Sequence, residues 1–167
     1  MIETAELNMI LLLTGVIIAL VVNIIRLNKS NVRYQAPISA ESIVSLFWRN
    51  GTSSSVNGDW IIFHHQDQEY AINISRLPIL IIIKQTSLNG YQEDTNILNE
   101  VAQSISLDTV LVTIQVERKL ANRAVIQLNA IETCLGAFAQ RLSIYLDVIN
   151  ETEKRFFDEI ECRNINN

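Results

Sequence analysis

Residues 59–83 read DWIIFHHQDQEYAINISRLPILIII and predict three successive strands. The first, Trp60 to His65, is apolar and aromatic at its start, and a turn follows at Gln66-Asp67-Gln68. Tyr70 to Ser75 alternates apolar and polar residues, which is typical of a half-buried strand. Ile79 to Ile83 contains only aliphatic residues and cannot alternate. That run predicts a central strand with both faces largely covered.

A second pair of strands is predicted further along the chain. Residues 110–117 place valine and isoleucine on one face and polar residues on the other, and residues 124–130 alternate in the same way. The polar segment Arg118 to Asn122 separates them and predicts a turn, so the two strands form a hairpin.

Three helices are predicted around these strands. The first begins after the N-cap Ser39 and ends at Asn50-Gly51, where glycine favours termination. The second is capped by Asp94 or Thr95 and carries an apolar face. The third runs from Glu132 to Ile160, with large apolar residues recurring every three or four positions.

The element order is therefore α-β-β-β-α-β-β-α. Runs of strands interrupted by helices indicate an α+β fold, with an antiparallel sheet in one layer and the helices in a second. The serine-, glycine- and asparagine-rich segment Thr52 to Asp59 is predicted to be a loop.

The N-terminus predicts a transmembrane helix. Leu7 to Ile25 carries no charge and is long enough to cross a bilayer core of about 30 Å. Basic residues follow it at positions 26, 29 and 33, which predicts that the rest of the chain is cytoplasmic. A signal peptide and a buried core helix are the alternatives. The predicted organisation is an anchor over 1–27, a juxtamembrane linker over 28–37 and an α+β domain over 38–167.

Charge and cysteine content narrow the classes of function. After Pro37 the chain has ten Lys or Arg and sixteen Asp or Glu, a net charge near −6. An acidic domain without a basic cluster argues against nucleic-acid binding. Cys134 and Cys162 fall on one predicted helix about 42 Å apart, too far for a disulfide. A bacterial inner-membrane protein with a reduced cytoplasmic domain fits these features.

Candidate chemical sites are weak. His64 and His65 are adjacent on a strand and point to opposite faces, so they do not form a metal pair. The acids Asp59, Asp67 and Glu69 are typical of hairpin turns. Cys134 has no histidine near it in the sequence, and no phosphate-binding or nucleophile motif occurs. Glu93-Asp94 is explained by a favourable interaction with a helix N-terminus. We expect no catalytic residue, metal or cofactor.

Two surfaces are candidates for protein contacts. The long helix exceeds the width of a five-stranded sheet, so its far turns, with Phe156, Phe157 and Ile160, require another partner or cap the same core. The second face of the sheet is neutral and polar where charge is common in a solvent-facing sheet. Its predicted residues are Asn73, Ser75, Thr113, Gln115, Gln127 and Asn129.

Element order and length resemble a known fold family. The helix ISAESIVSLFWRNG, the meander above, and the hairpin TVLVTIQVERKLANRAVIQLNAIE before a long helix are similar to the type III secretion chaperone-like fold. This fold includes small bacterial sensory-transduction-regulator-like domains. The resemblance covers Ile38 to about Ile160 and implies a small, acidic, often dimeric protein that binds other proteins. It transfers no catalytic residue, and the membrane anchor departs from the secretion chaperones.

The sequence thus predicts a single-pass, membrane-anchored, non-catalytic module that binds a protein partner and forms a homodimer. Two other functions stay open. One is a small-ligand sensor with a cleft between the sheet and the long helix. The other is an enzyme with an unrecognised site, which a buried cluster of titratable groups with perturbed pKa values would favour.

Overall fold

The computed structural model describes residues 35–89, 91, 95–109 and 111–165. The chain divides into two units after Ala36, and the second, Pro37–Asn167, contains all the described secondary structure. The elements in chain order are α1 (Ala40–Arg49), β1 (Ser54–Asn57), β2 (Trp60–His65), β3 (Gln68–Arg76), β4 (Ile79–Ser87), α2 (Thr95–Asp108), β5 (Val112–Glu117), α3 (Arg118–Ala121), β6 (Arg123–Ile131) and α4 (Leu135–Ile165).

The predicted α+β class is confirmed. The described strands form one antiparallel six-stranded sheet in the order β1-β2-β3-β4-β6-β5. Strand β4 lies in the interior of the sheet, between β3 and β6, as its aliphatic run predicted. The pairing of β4 with β6 therefore joins the strands β1 to β4 to the hairpin formed by β5 and β6.

The sheet has one strand more than predicted, because the supposed loop Thr52 to Asp59 contains β1. Asn57 pairs with Trp60 across a two-residue turn in which Gly58 has a φ of 60°. Glycine is preferred at the first position of such a turn, because the positive φ required there strains other residues. The sequence pattern did not predict β1, because this strand lies at the edge of the sheet and has little apolar surface to bury.

The predicted turn at Arg118 to Asn122 contains the single helical turn α3. The turn ends at Asn122, which adopts a left-handed conformation with a φ of 44°. The carbonyl of Asn122 accepts a hydrogen bond from the N–H of Leu88 at 2.9 Å. The position of the chain reversal was predicted correctly, but its helical form was not.

Helix α1 begins directly after its N-cap Ser39, as predicted. The Ser39 hydroxyl accepts a hydrogen bond from the N–H of Ser42 at 3.2 Å, and the Ser42 hydroxyl accepts one from the N–H of Ser39 at 2.9 Å. Serine thus completes a capping box whose third helical position usually carries Glu or Gln. Ile43 and Phe47 then turn into the core.

The core lies between one face of the sheet and the helices. The core residues of β2 to β6 occupy alternate positions on each strand, and buried residues of α1, α2 and α4 belong to the same cluster. The fully buried members include Ile43, Ile61, Ile72, Leu80, Ile82, Leu98, Ile126, Phe138, Ile149, Phe156 and Ile160. This arrangement confirms the predicted two layers.

The end of α4 is part of this core. Phe156 and Ile160 are completely buried, and the half-buried Phe157 lies 4.9 Å from Tyr91, measured between ring centroids. Past the sheet, α4 packs against α2, which lies on β5. For Phe156 and Ile160 the structure therefore agrees with the alternative in which these turns cap the same core.

The predicted membrane helix, Leu7 to Ile25, lies outside the described residues. Within the described part of the chain, no helix is both long and apolar enough to cross a membrane.

Candidate functional site

The face of the sheet turned away from the helices is the main candidate site, and we call it the open face. Two rows of register-paired side chains cross its centre. One row is Trp60, Asn73, Ile81 and Asn129, and the other is Ile62, Ala71, Ile83, Gln127 and Thr113. Since directly paired residues share a face, these nine side chains form one continuous surface.

This surface exposes large apolar side chains. Trp60 is 36% exposed, Ile79 is 40% exposed, and its register partner Ile131 is 69% exposed. Ile81 and Ile83 are half-buried and do not belong to the core cluster on the opposite side. The prediction that both faces of β4 are covered is therefore wrong for the described domain, since α1, α2 and α4 all contribute to the core on the opposite face.

Five of the six sheet residues predicted as a contact surface lie on the open face. They are Asn73, Thr113, Gln115, Gln127 and Asn129. The register gives their position in the sheet, and their role as a contact surface stays a prediction. The apolar part of the same face was missed, although the aliphatic run in β4 was its visible signal.

The polar groups of the open face are partly paired with one another. The Oδ1 of Asn73, which is 8% exposed, accepts hydrogen bonds from the N–H of Ser75 at 3.0 Å and its hydroxyl at 2.5 Å. The Nε2 of Gln127 donates to the Oδ1 of Asn129 at 3.0 Å. Because burying unpaired polar groups is costly, this pairing lowers the cost of covering the face.

Charged side chains lie beyond the two central rows. At one end Arg76 pairs with Ile79 in the register. At the other end Arg123 bonds to Glu117 at 2.7 Å and to Gln85 at 2.6 Å. The middle of the open face is therefore neutral, with charge at its margins, which resembles the apolar core and polar rim of a protein interface.

A second candidate site is a cleft of about 320 Å³ between α1, β2 and α4. Its floor contains Phe47 and Phe63, whose stacked rings lie 4.5 Å apart between centroids. Leu146 adds apolar surface, while His65 and Ser143 add polar groups. The size and the mixed lining are those of a small-molecule site.

A buried polar cluster joins β4 to α4. Lys84 is 5% exposed, and its Nζ donates to the Oε1 of Gln68 at 2.6 Å, to the Oδ1 of Asn150 at 3.0 Å and to Glu153. Thr86 also donates to Glu153. The three donors of the ammonium group thus have three acceptors. Such complete pairing is typical of a structural contact.

Tyr70 belongs to the same cluster. Its hydroxyl donates to Asn150 at 2.8 Å or to Gln68 at 2.9 Å, and Lys84 lies 5.8 Å from its ring centroid. Burial raises the pKa of Tyr70, and the hydrogen bond to Asn150 opposes this shift. The perturbation is accounted for by burial and does not by itself indicate catalysis.

Glu132 forms a second buried polar contact with α4. Its side chain is 1% exposed and accepts hydrogen bonds from Arg141 at 3.2 Å and from Tyr145. Burial, followed by the hydrogen bond to Glu132, raises the pKa of Tyr145. The predicted helix start at Glu132 is three residues early, because this residue faces the interior and α4 begins at Leu135.

The other sequence candidates lie apart from these sites. His64 is exposed with its Nε2 3.7 Å from Glu69, whereas His65 lines the cleft on the opposite side of the sheet. Cys134 is half-buried and Cys162 is exposed. Asp59 and Asp67 occupy exposed hairpin turns, and Glu93-Asp94 lies outside the described residues. No metal-binding group of three His, Cys, Asp or Glu occurs in the described part.

Comparison with solved structures supports the fold. An uncharacterised protein from Methanothermobacter thermautotrophicus superposes with a TM-score of 0.53 at 12% identity, over 75% of this chain and 99% of its own. YbjN, a proposed transcription regulator from E. coli, gives a TM-score of 0.53 at 8% identity, over 76% of this chain and 94% of its own. No protein-family model matches the sequence, and no curated protein matches it.

The domain therefore has the fold of these two proteins. YbjN has the sensory-transduction-regulator-like fold, so this part of the predicted resemblance is confirmed at the level of fold. At such low identity the likeness to these two proteins shows the fold alone.

Proposed function

We propose that this chain is a regulatory module that binds another protein through the open face of its sheet. The observation that supports the proposal is a mismatch between the composition of β4 and its burial. Its five consecutive aliphatic residues, Ile79 to Ile83, are suited to a strand buried on both sides, yet the described helices cover only one. A partner that covers the open face would remove this mismatch, because exposed apolar surface is costly in water.

The chemistry of the face specifies the contacting surface of the partner. The two central rows carry no charge, and their amides are partly satisfied within the face. A partner with an apolar, uncharged surface would thus cover Trp60 and Ile131 without burying an unpaired charge. Charged groups on the partner would meet Arg76, Arg123 and Glu117 only at the margin, where they favour orientation over affinity.

The remaining parts of the proposal come from the sequence. The apolar run Leu7 to Ile25 would hold the module at a bacterial inner membrane, with the domain on the cytoplasmic side. Binding without catalysis is consistent with the complete pairing of Lys84 and with the sequence's lack of a catalytic motif. The description of YbjN as a proposed transcription regulator favours a regulatory role.

Site-specific photo-cross-linking in living cells tests this function. A photoreactive amino acid replaces Ile131 on the open face or, as a control, Leu107 on α2, which is 78% exposed. We expect an adduct of one defined mass at position 131 and none at 107. The adduct should disappear when Ile79→Lys places a charge beside the probe. Adducts of equal yield at both positions would contradict a specific surface.

A small-ligand sensor is the second candidate, favoured by the cleft between α1, β2 and α4. An uncharged ligand with an aromatic or acyl part would lie on Phe47 and Phe63, with its polar end at His65 or Ser143. A pool of such compounds should raise the melting temperature of the chain, and Ser143→Trp should abolish the shift by filling the cleft. Absence of any shift in the unchanged chain would reject this candidate.

A further inference from the structure

The two edges of the sheet differ in how they are protected. At the β5 edge, the N–H of Ile114 donates to the hydroxyl of Ser106 in α2 at 3.0 Å. At the other edge, β1 carries no Lys, no Pro and no register shift, and three of its four residues are exposed. Lysine, proline and register shifts are features with which proteins usually protect an edge strand from further pairing. Strand β1 has none of the three. The main chain of β1 is thus available to pair with another strand.

Exposed apolar side chains lie on both sides of the β1 edge. Val56 is 50% exposed and pairs with Ile61, which places it on the helix-covered face. Trp60 is 36% exposed and belongs to the open face, beside Asn57 of β1. A strand added at β1 would therefore bury apolar surface above and below the new pair.

Trp48 in α1 is the most exposed large apolar side chain of the described residues, at 80%. Asn50, two positions later, lines the cleft with α4. At 3.6 residues per turn, the two side chains point about 160° apart around the helix axis. Trp48 therefore lies on the flank of α1 that faces away from α4. Since α1 packs against β1 and α4, that flank is on the β1 side.

We propose that two copies of this chain associate by antiparallel pairing of their β1 strands. A two-fold axis perpendicular to the sheet would keep both helical layers on one side and join the two open faces on the other. Any strand edge is self-complementary under such an axis. Helix α1 of each copy would then stand beside its counterpart, with Trp48 and Val56 between them.

A second copy fits this edge better than an extended peptide. The strand has only four residues, so a peptide would gain few main-chain hydrogen bonds. A second copy adds the Trp48 and Val56 contacts twice, because the axis repeats each of them. Trp is the residue most often found to dominate an interface. The contact is small, so we expect a reversible dimer with a dissociation constant of about 1–100 μM.

Charge gives the dimer a distinctive salt dependence. Strand β1 is uncharged, but each chain carries a net charge of −5. Two like-charged copies repel one another, and added salt screens this repulsion. Raising the salt concentration should therefore strengthen the association, whereas an interface held by ion pairs would weaken.

Cysteine cross-linking of the full chain in mild detergent tests the dimer. In a background with Cys134→Ser and Cys162→Ser, single cysteines are placed along β1 and, as a control, at Leu107. Paired residues in an antiparallel ladder lie about 4.5–5.5 Å apart between Cα atoms, within the range of a disulfide. We expect disulfide dimers from Ser55→Cys or Val56→Cys, at the position nearest the axis, and none from Leu107→Cys.

Variants then test the side chains, with dimer dissociation measured by analytical ultracentrifugation. Trp48→Ala should weaken the dimer about tenfold, and Val56→Lys should abolish it by placing two like charges near the axis. Leu107→Ala, an equally exposed apolar truncation, should leave it unchanged. A monomer up to 1 mM, or a dimer indifferent to both β1-edge variants, would overturn the proposal. Partner binding at Ile131 is measured separately, so either proposal can fail alone.

Discussion

Ile81 and Ile82 are neighbours on β4, yet they belong to different environments. Ile82 is fully buried in the core, while Ile81 is half-buried on the open face. The same residue type in the same strand thus stabilises the domain on one side and remains partly in water on the other. Folding requires the first contact, but the described fold does not account for the second. The comparison separates residues that hold the domain together from those available for a partner.

The largest expected effect is a loss of stability caused by a substitution on the buried face of β4. Ile82→Ala should lower the free energy of unfolding by about 2–5 kcal/mol, because it leaves a cavity in a closed core. Ile81→Ala should cost less than about 1.5 kcal/mol, since its side chain already contacts water. Urea denaturation of both variants measures the difference. Equal losses would mean that the open face is covered within the chain.

The next effect concerns the polar contact between the sheet and α4. Glu153→Ala removes the carboxylate that pairs with the buried Lys84, and we expect a loss of about 3 kcal/mol. Glu151→Ala, an exposed acid on the same helix, should stay within about 0.5 kcal/mol of the unchanged chain. Denaturation at neutral pH compares them. A small loss for Glu153→Ala would indicate that Lys84 reaches water or another acceptor.

A smaller effect should appear at high pH. Burial raises the pKa values of Tyr70 and Tyr145 above the usual value near 10. A raised pKa in the folded state means stability that is fully present below pH 10 and is lost as the pH rises through the folded values. Absorbance at about 295 nm should show two tyrosines titrating late, with a parallel fall in stability. Tyr70→Phe and Tyr145→Phe should each remove one late step, and normal titration in the unchanged chain would contradict their burial.

The smallest effect on stability is expected on the open face. Ile131→Ala should change the free energy of unfolding by no more than about 0.5 kcal/mol, because this side chain is 69% exposed. The same change should weaken partner binding at least tenfold if Ile131 lies in the interface. Calorimetric unfolding checks the first expectation, and the yield of photo-adduct from a probe at Ile81 checks the second. A large loss of stability would place Ile131 among the core residues.

The sequence predicted elements where apolar periodicity was strong. The alternation in residues 70–75 and 110–117 located strands β3 and β5, and the run Ile79 to Ile83 located the interior strand β4. The sequence did not predict the element that forms by main-chain pairing and not by apolar burial. Strand β1 forms because a two-residue turn at Gly58 folds its Ser- and Asn-containing segment onto β2, and polar edge strands leave no periodic signal.

The candidate sites were predicted less completely, for two physical reasons. An aliphatic run records that a strand is suited to burial, but it does not record whether its own helices or another molecule provides the cover. The buried cluster also depends on residues far apart in sequence, since Lys84 meets Asn150 and Glu153 only after folding. A signal for Lys84 was present, because it occupies the same face as Leu80 and Ile82.

The central claim is that a partner covers the open face in the cell. Labelling of single cysteines by a membrane-permeant maleimide measures this directly, with Ile131→Cys on the open face and Leu107→Cys as the control, both in the Cys134→Ser, Cys162→Ser background. In the purified chain both positions should react rapidly. In cells, Ile131→Cys should react at least tenfold more slowly while Leu107→Cys keeps its rate. Equal rates at the two positions in cells would contradict the claim.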